Sequence, residues 1–139
     1  MKPPKSNKFA ILKNEDPIDH VKWIDACKKI KSINYKVFDL TLDTWLEDIN
    51  SFSPDVLLLK PSGKTSLYRT LYQERLEILI DELNYKSFPL LQEIKIYENK
   101  RYFAYWARAH KLPHPKTWIF YHQKEVFKVL NSLMLGSKQ

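Results

Sequence analysis

A short basic segment around Gly63 offers the clearest chemistry in the sequence. It reads Lys60-Pro61-Ser62-Gly63-Lys64-Thr65-Ser66, and it follows an apolar run and opens the longest helical pattern. Ligands of open α/β sheets bind beyond the carboxyl ends of the strands, and the free amides of a helix N-terminus attract anions. We therefore predict a site for a small carboxylate or another anionic substrate, formed by Lys60, Ser62, Gly63, Lys64, Thr65, Ser66 and Arg69. The alternative is a loop with a basic helix start and no ligand.

The same segment is not a known type of nucleotide loop. Gly63-Lys64-Thr65 matches the end of a Walker A motif, but the first glycine of that motif would fall on Leu58. The chain has two glycines, Gly63 and Gly136, so a glycine-rich phosphate loop and a dinucleotide fingerprint are both excluded. Any nucleotide must be held in another way.

Histidine and cysteine offer little further chemistry. His110 and His114 are four residues apart, as two metal ligands on one helix would be, but Pro113 breaks the helix between them and no third ligand is near. Cys27 lies in an apolar helical pattern, which favours a small core residue over a nucleophile. We predict no metal site, and no catalytic residue can be assigned to His20, Cys27 or the scattered carboxylates.

Buried runs alternate with amphipathic stretches along most of the chain. This alternation predicts βαβ units, right-handed crossovers and a three-layer Rossmann-like α/β domain with a parallel sheet. Helices are predicted between the strands, the first with an N-cap at Asp16 and an apolar stripe of Val21, Ile24, Cys27 and Ile30. The predicted strands are Phe9–Leu12, Tyr35–Phe38, Asp55–Lys60 and, at an edge, Phe88–Leu91.

The segment from Asn99 onward is the most specific pattern. Asn99 is a capping residue followed by Lys100, then by a helix carrying Tyr102, Phe103, Trp106 and Ala109. A turn of the form Leu112-Pro113-x-Pro115-x-Thr117 comes next, then a predicted strand, Lys116–Tyr121, and a helix from Gln123 to about Met134. This order resembles the entry to the ATP-grasp fold of carboxylate–amine ligases.

The resemblance implies a role for each part of the chain after residue 8. It makes residues 9–98 a pre-ATP-grasp domain that contributes to the substrate side, and residues 99–139 an incomplete N-terminal lobe of the ATP-grasp fold. Residues 1–8 lie outside the resemblance, and their proline and lysine content predicts a flexible basic leader. Lys100 stands where the family has a lysine that reaches the ATP phosphates. The complete family fold uses ATP and magnesium. The glycine-rich lid and the magnesium ligands of that fold have no match in this sequence. We therefore expect that this chain alone binds neither ATP nor magnesium stably and has no ligase activity.

Composition narrows the function classes. The 139 residues fit one ordinary domain with a packed core, and the single cysteine excludes an internal disulfide. No apolar run is long enough for a membrane span and no signal-type segment precedes the first strand, so we expect a cytoplasmic protein. The net charge of +7 permits nucleic-acid binding, but basic residues mostly interleave with Asp and Glu, which makes nucleic acid an unlikely partner.

Three functions remain open. The first is the front portion of an ATP-grasp ligase-like protein. The second is a non-catalytic α/β module that binds an anion or a partner through the loop from Lys60 to Arg69, and the third is a basic nucleic-acid-binding protein. We also expect a homodimer or a swapped assembly through the last forty residues, because the strand Lys116–Tyr121 would have an open edge and an apolar surface containing Trp118, Phe120, Phe127 and Leu133. The alternative is a monomer in which this strand folds back onto the first domain.

Overall fold

The computed structural model describes residues 7–60 and 63–136. The chain divides into two compact units, one ending at Asn99 and the other beginning at Lys100. The functions that the resemblance gives to these two parts stay predictions.

The first unit is built on a parallel sheet, which confirms the predicted α/β class. Its four strands lie in the order β2-β1-β3-β4, and every neighbouring pair is parallel. In the centre of the sheet, Phe9 lies opposite Tyr35 on one side and Val56 on the other. The strands are β1 (Asn7–Leu12), β2 (Ile33–Phe38), β3 (Val56–Leu58) and β4 (Ser87–Phe88).

Helices cover both faces of this sheet. They are α1 (Pro17–Lys28), α2 (Trp45–Phe52), α3 (Ser66–Glu77), which continues as a π-helical turn over Ile78–Glu82, and α4 (Leu91–Glu98). Side chains alternate along a strand, so Ile11 and Leu58 face α1 and its Cys27. The opposite face forms the larger core with α2, α3 and α4, and it contains Ala10, Leu12, Phe38, Leu40, Trp45, Ile49, Leu57, Leu59, Tyr72, Leu76, Leu79, Leu91 and Ile94.

The strand order places a switch point between β1 and β3. The connection that leaves β1 packs on one face of the sheet, whereas the connection that leaves β3 packs on the other. The loops after these two strands therefore lead to helices on opposite faces of the sheet, and the carboxyl edge between such strands is where ligands of doubly wound sheets bind. The predicted anion loop is one of these two loops.

Several predicted boundaries and burial patterns differ from the structure. Asn7 and Lys8 belong to β1 rather than to the leader, and residues 1–6 lie outside the described residues. The fourth strand is two residues long, because it ends at the proline that follows Phe88. Val21 is exposed because α1 turns Asp19, His20 and Cys27 inward instead, and Ile30 is exposed beyond the end of this helix.

The second unit contains two helices, α5 (Lys100–Ala109) and α6 (Gln123–Gly136). The predicted strand Lys116–Tyr121 is wrong: residues 112–120 have no regular secondary structure. A strand needs a neighbour for its backbone hydrogen bonds, and the described part of this unit contains no other strand to supply them. Trp118, Phe127 and Leu133 are exposed, so the homodimer stays a prediction that now depends on exposed apolar side chains rather than on a strand edge.

Candidate functional site

The candidate site lies where the loops after β1 and β3 approach each other. The first loop carries Asn14, Glu15 and Asp16 and leads into α1, whose start is confirmed as predicted. The Oδ1 atom of Asp16 accepts a hydrogen bond from the Ile18 amide at 3.2 Å, and Pro17 occupies the first helical position. The second loop leads from Leu59 into α3, and the described residues of this loop omit Pro61 and Ser62.

The N-terminus of α3 holds a carboxylate of the same chain. Oε2 of Glu15 accepts hydrogen bonds from the amides of Lys64 and Thr65, the latter at 3.0 Å. Oε1 accepts from the Thr65 hydroxyl at 3.0 Å. The Thr65 hydroxyl oxygen in turn accepts from the Tyr68 amide at 3.2 Å, so Thr65 caps α3 as well. The hydrogen bonds from Thr65 help to hold the pKa of Glu15 below its usual value, because they stabilise the ionised form.

Both described lysines of the loop after β3 are paired with acidic residues that follow β1. Lys60 Nζ donates to Oδ1 of Asp19, a carboxylate that is largely buried on α1. Lys64 Nζ lies 3.0 Å from Oδ2 of Asp16. The hydrogen bond to Asp19 raises the pKa of Lys60, and the one to Asp16 raises the pKa of Lys64. Both lysines are therefore firmly cationic, and each is already neutralised by a carboxylate of the neighbouring loop.

A buried polar group connects the two loops. Asn14 is 2% exposed, and its Nδ2 donates to the backbone carbonyl of Lys60 at 2.7 Å. Its Oδ1 accepts from the Glu15 amide at 2.7 Å, and its own amide donates to Nδ1 of buried His20 at 3.2 Å. Because an amide N–H donates to Nδ1, the proton of the neutral imidazole is on Nε2. Asn14 thus fixes the backbone of Glu15 and also the position of the loop after β3, to which the Glu15 carboxylate binds.

Two tyrosines of α3 form the wall beside the loops. The Tyr68 hydroxyl donates to the Lys13 carbonyl at 2.9 Å, and its ring stacks on that of Tyr72 with centroids 5.6 Å apart. Burial raises the pKa of Tyr68 to about 12. The Tyr72 hydroxyl is buried and makes no hydrogen bond within the described residues. Burial raises the pKa of Tyr72 well above its usual value, and the negative charge of Asp19 contributes in the same direction.

The remaining predicted site residues are divided between the loop and the helix. Gly63 packs closely against α3, since a Cβ atom there would lie 2.8 Å from Cγ of Arg69. The Arg69 guanidinium donates to the Gly63 carbonyl at 3.5 Å, a long contact that leaves Arg69 at the surface. Ser66 is the first residue of α3. Ser62 lies outside the described residues, so its predicted role stays a prediction.

A third ion pair joins the ends of β1 and β2. Lys13, directly after β1, donates from Nζ to Oδ2 of Asp39, directly after β2, at 2.7 Å. Partial burial by itself raises the pKa of Asp39, but the hydrogen bonds from Lys13 and from the hydroxyl and amide of Thr41 outweigh it and bring the pKa to about 2, from 3.8. The stabilisation is fully present above the unfolded value and is lost as the pH falls towards 2.

We therefore expect Asp39→Asn to lower stability at neutral pH and to remove part of the acid sensitivity. The expected loss is about 1 kcal/mol at pH 7, discounted because Lys13 is half exposed, and it should vanish near pH 2. Urea denaturation at both pH values measures it, with Asp43→Asn at an exposed position as the control. An equal loss at both pH values would contradict the assignment.

Lys100, the predicted ATP-phosphate ligand, is exposed as the first residue of α5. In the same unit, the Nδ1 atoms of His110 and His114 donate to the carbonyls of Trp106 and Leu112, each at 2.9 Å. Within residues 7–60 and 63–136, no three His, Cys, Asp or Glu side chains converge as metal ligands would.

Sequence reasoning placed the loop after β3 but missed the residues that face it. Asp16 was predicted only as a helix cap and Asp19 only as a residue of the first helical turn, and Asn14 and Glu15 were given no role. The signal was present, because two neighbouring parallel strands bring their following loops to the same edge of the sheet. An acidic segment after β1 and a basic segment after β3 therefore had to meet.

No protein-family model, no curated protein and no solved structure matches this chain. Within the described residues, no helix has both the length and the apolar character needed to span a bilayer.

Proposed function

We propose that this chain is the front portion of an ATP-grasp carboxylate–amine ligase-like protein in which the loop after β3 receives a carboxylate of the substrate. The observation that carries the proposal is the bound state of Glu15. Two backbone amides and one hydroxyl already hold a carboxylate at the carboxyl edge of a parallel sheet, in the geometry that a ligand carboxylate would need.

Substrate binding then takes the form of an exchange. A ligand carboxylate replaces Glu15 at the amides of Lys64 and Thr65 and accepts the hydrogen bonds that Glu15 accepts there. The buried Tyr72 hydroxyl lies on the helix that begins at this loop. In the absence of a ligand, Glu15 accepts the hydrogen bonds of the Lys64 and Thr65 amides and of the Thr65 hydroxyl.

Lys100 is the residue that we propose contacts the phosphates of ATP. It begins α5, so its ammonium group and the free amides of the helix N-terminus are close together, and both attract phosphate. The chain alone turns over no ATP in this account. Two glycines are too few for a glycine-rich lid, and without magnesium ligands the charge on a transferring phosphate is not neutralised.

The ATP part is tested by NMR on the isotope-labelled chain. Addition of ATP and magnesium is expected to shift the amide signals of Lys100 and of the first turn of α5 in fast exchange, since only part of a nucleotide site is present. Lys100→Ala should abolish these shifts, whereas Lys124→Ala, at the start of α6, should leave them unchanged. Equal shifts in wild type and Lys100→Ala, or steady ATP hydrolysis that depends on Lys100, would refute this part.

A second function is favoured by the ion pairs. Because Lys60 and Lys64 are both neutralised by the neighbouring loop, the site equally suits a non-catalytic module in which an anionic ligand or partner opens the contact between the loops. In that case carboxylate binding at Thr65 persists, but ATP causes no shift at Lys100. The ATP titration therefore separates the two functions.

A further inference from the structure

The net positive charge of the chain comes entirely from its last forty residues. Residues 100–139 contain eight Lys and Arg against one acidic residue, Glu125, which gives +7. Residues 1–99 contain fifteen of each sign and are neutral. The interleaving of acidic and basic residues inferred for the whole chain therefore holds only for the first unit. A field of one sign over so short a segment favours an anionic partner.

A pocket of about 370 Å³ lies within this basic unit, and no carboxylate lines it. Arg108 comes from the last turn of α5, and the other lining residues come from the irregular segment that follows it. Among these, Lys116 and Trp118 are exposed. The pocket is lined by Arg108, His114, Lys116, Thr117 and Trp118.

The cations of the pocket lie beside aromatic rings rather than beside acids. Lys116 Nζ is 5.0 Å from the centroid of the Trp118 ring, and Cζ of Arg108 is 5.6 Å from that of Tyr105. Within residues 7–60 and 63–136, the salt bridges join residues of the first unit only. Cation–π contacts leave the positive charge uncompensated, so these groups can still attract phosphate.

Local hydrogen bonds fix the segment that carries these side chains. His114 Nδ1 donates to the Leu112 carbonyl at 2.9 Å, and the Thr117 hydroxyl donates to the Pro115 carbonyl at 2.8 Å. Pro113 and Pro115 restrict the backbone further, because proline fixes φ. Lys116 and Trp118 are therefore presented from a backbone that loses little entropy when a ligand binds.

We propose that the second unit binds single-stranded nucleic acid, with phosphates held by Arg108 and Lys116 and a base stacked on Trp118. A positive surface with exposed aromatic rings is how proteins bind single strands without base-specific contacts. Tyr105 and Tyr121 are also exposed in this unit, at 53% and 92%, and offer further rings for successive bases. The chemistry is that of a chain of phosphates and aromatic bases, which a small carboxylate does not match.

The test is fluorescence anisotropy of a labelled oligothymidylate with the full chain at several salt concentrations. Arg108→Glu and Lys116→Glu are each expected to weaken binding about tenfold or more and to reduce the salt dependence. Trp118→Ala should also weaken binding about tenfold but leave the salt dependence unchanged, because stacking releases no counterions. Lys22→Glu makes the same charge change at an exposed position of the first unit and should change affinity less than about twofold.

Four outcomes of the anisotropy experiment would overturn the proposal. They are no binding at low salt, equal weakening by Lys22→Glu and Arg108→Glu, unchanged affinity in a folded Trp118→Ala variant, and full displacement by ATP at the same nucleotide concentration. The last outcome would indicate a site for a free nucleotide. Preferred binding to anionic lipid vesicles over the oligonucleotide would likewise contradict a nucleic-acid surface.

Discussion

Replacing Asn14 by leucine is expected to lower the free energy of unfolding by about 2 to 4 kcal/mol. The substitution leaves the Lys60 carbonyl and the Glu15 amide without the bonds that Asn14 gives them, and an unsatisfied buried group costs about 1 to 3 kcal/mol. The leucine side chain is similar in size, so packing alone predicts a small effect. The expected loss is therefore due to hydrogen bonding, and urea denaturation measures it.

Asn34→Leu provides the matched control. Asn34 is an exposed residue of β2, where the same substitution should change stability by less than about 0.5 kcal/mol. Asn14→Asp tests the direction of the side chain. A carboxylate still accepts from the Glu15 amide but cannot donate to the Lys60 carbonyl, so it should recover less than half of the loss. Full stability in Asn14→Asp, or equal losses at Asn14 and Asn34, would contradict the role given to Asn14.

The first unit could be predicted from the sequence because its signals are local and strong. The runs that became β1 and β3 are apolar enough to be buried on both faces, and Asp16-Pro17 is a standard helix start. The inward face of α1 could not be found in this way. Asp19 and His20 are turned inward by contacts with Lys60 and Asn14, and partners so distant in sequence leave no trace in helical periodicity.

The second unit was harder to predict for a different reason. Lys116–Tyr121 has the aromatic and β-branched content of a strand, but β-propensity describes how side chains fit a sheet surface. Without a neighbouring strand in the described part of this unit, the backbone adopts an irregular path fixed by Pro113, Pro115 and their local hydrogen bonds. The charge asymmetry, by contrast, can be found from the sequence alone. It emerges when charged residues are counted separately for residues 1–99 and 100–139, because Glu125 is the one acidic residue of the second range.

Removing the carboxylate of Glu15 is expected to create a binding site for free carboxylates. In Glu15→Ala the amides of Lys64 and Thr65 lose their acceptor while Lys60 and Lys64 remain. Acetate no longer has to displace the Glu15 carboxylate from these amides. It should therefore bind to Glu15→Ala at least about tenfold more tightly than to wild type, which corresponds to a difference of about 1.4 kcal/mol in binding free energy. The acetate affinity of Glu15→Gln should lie between those of wild type and Glu15→Ala, because the side-chain amide oxygen of glutamine can still accept a hydrogen bond.

The most direct test of the carboxylate site is therefore an acetate titration followed by the amide signals of Lys64 and Thr65 in wild type, Glu15→Ala and Glu47→Ala. Glu47 is an exposed residue of α2, so its removal makes the same charge change away from the site. We expect the signals of both amides in Glu15→Ala to shift and saturate as acetate is added. The acetate concentration at half saturation should be at least about tenfold lower in Glu15→Ala than in wild type and in Glu47→Ala. Identical titrations in all three proteins, or no shift at Lys64 and Thr65 in a folded Glu15→Ala variant, would contradict it.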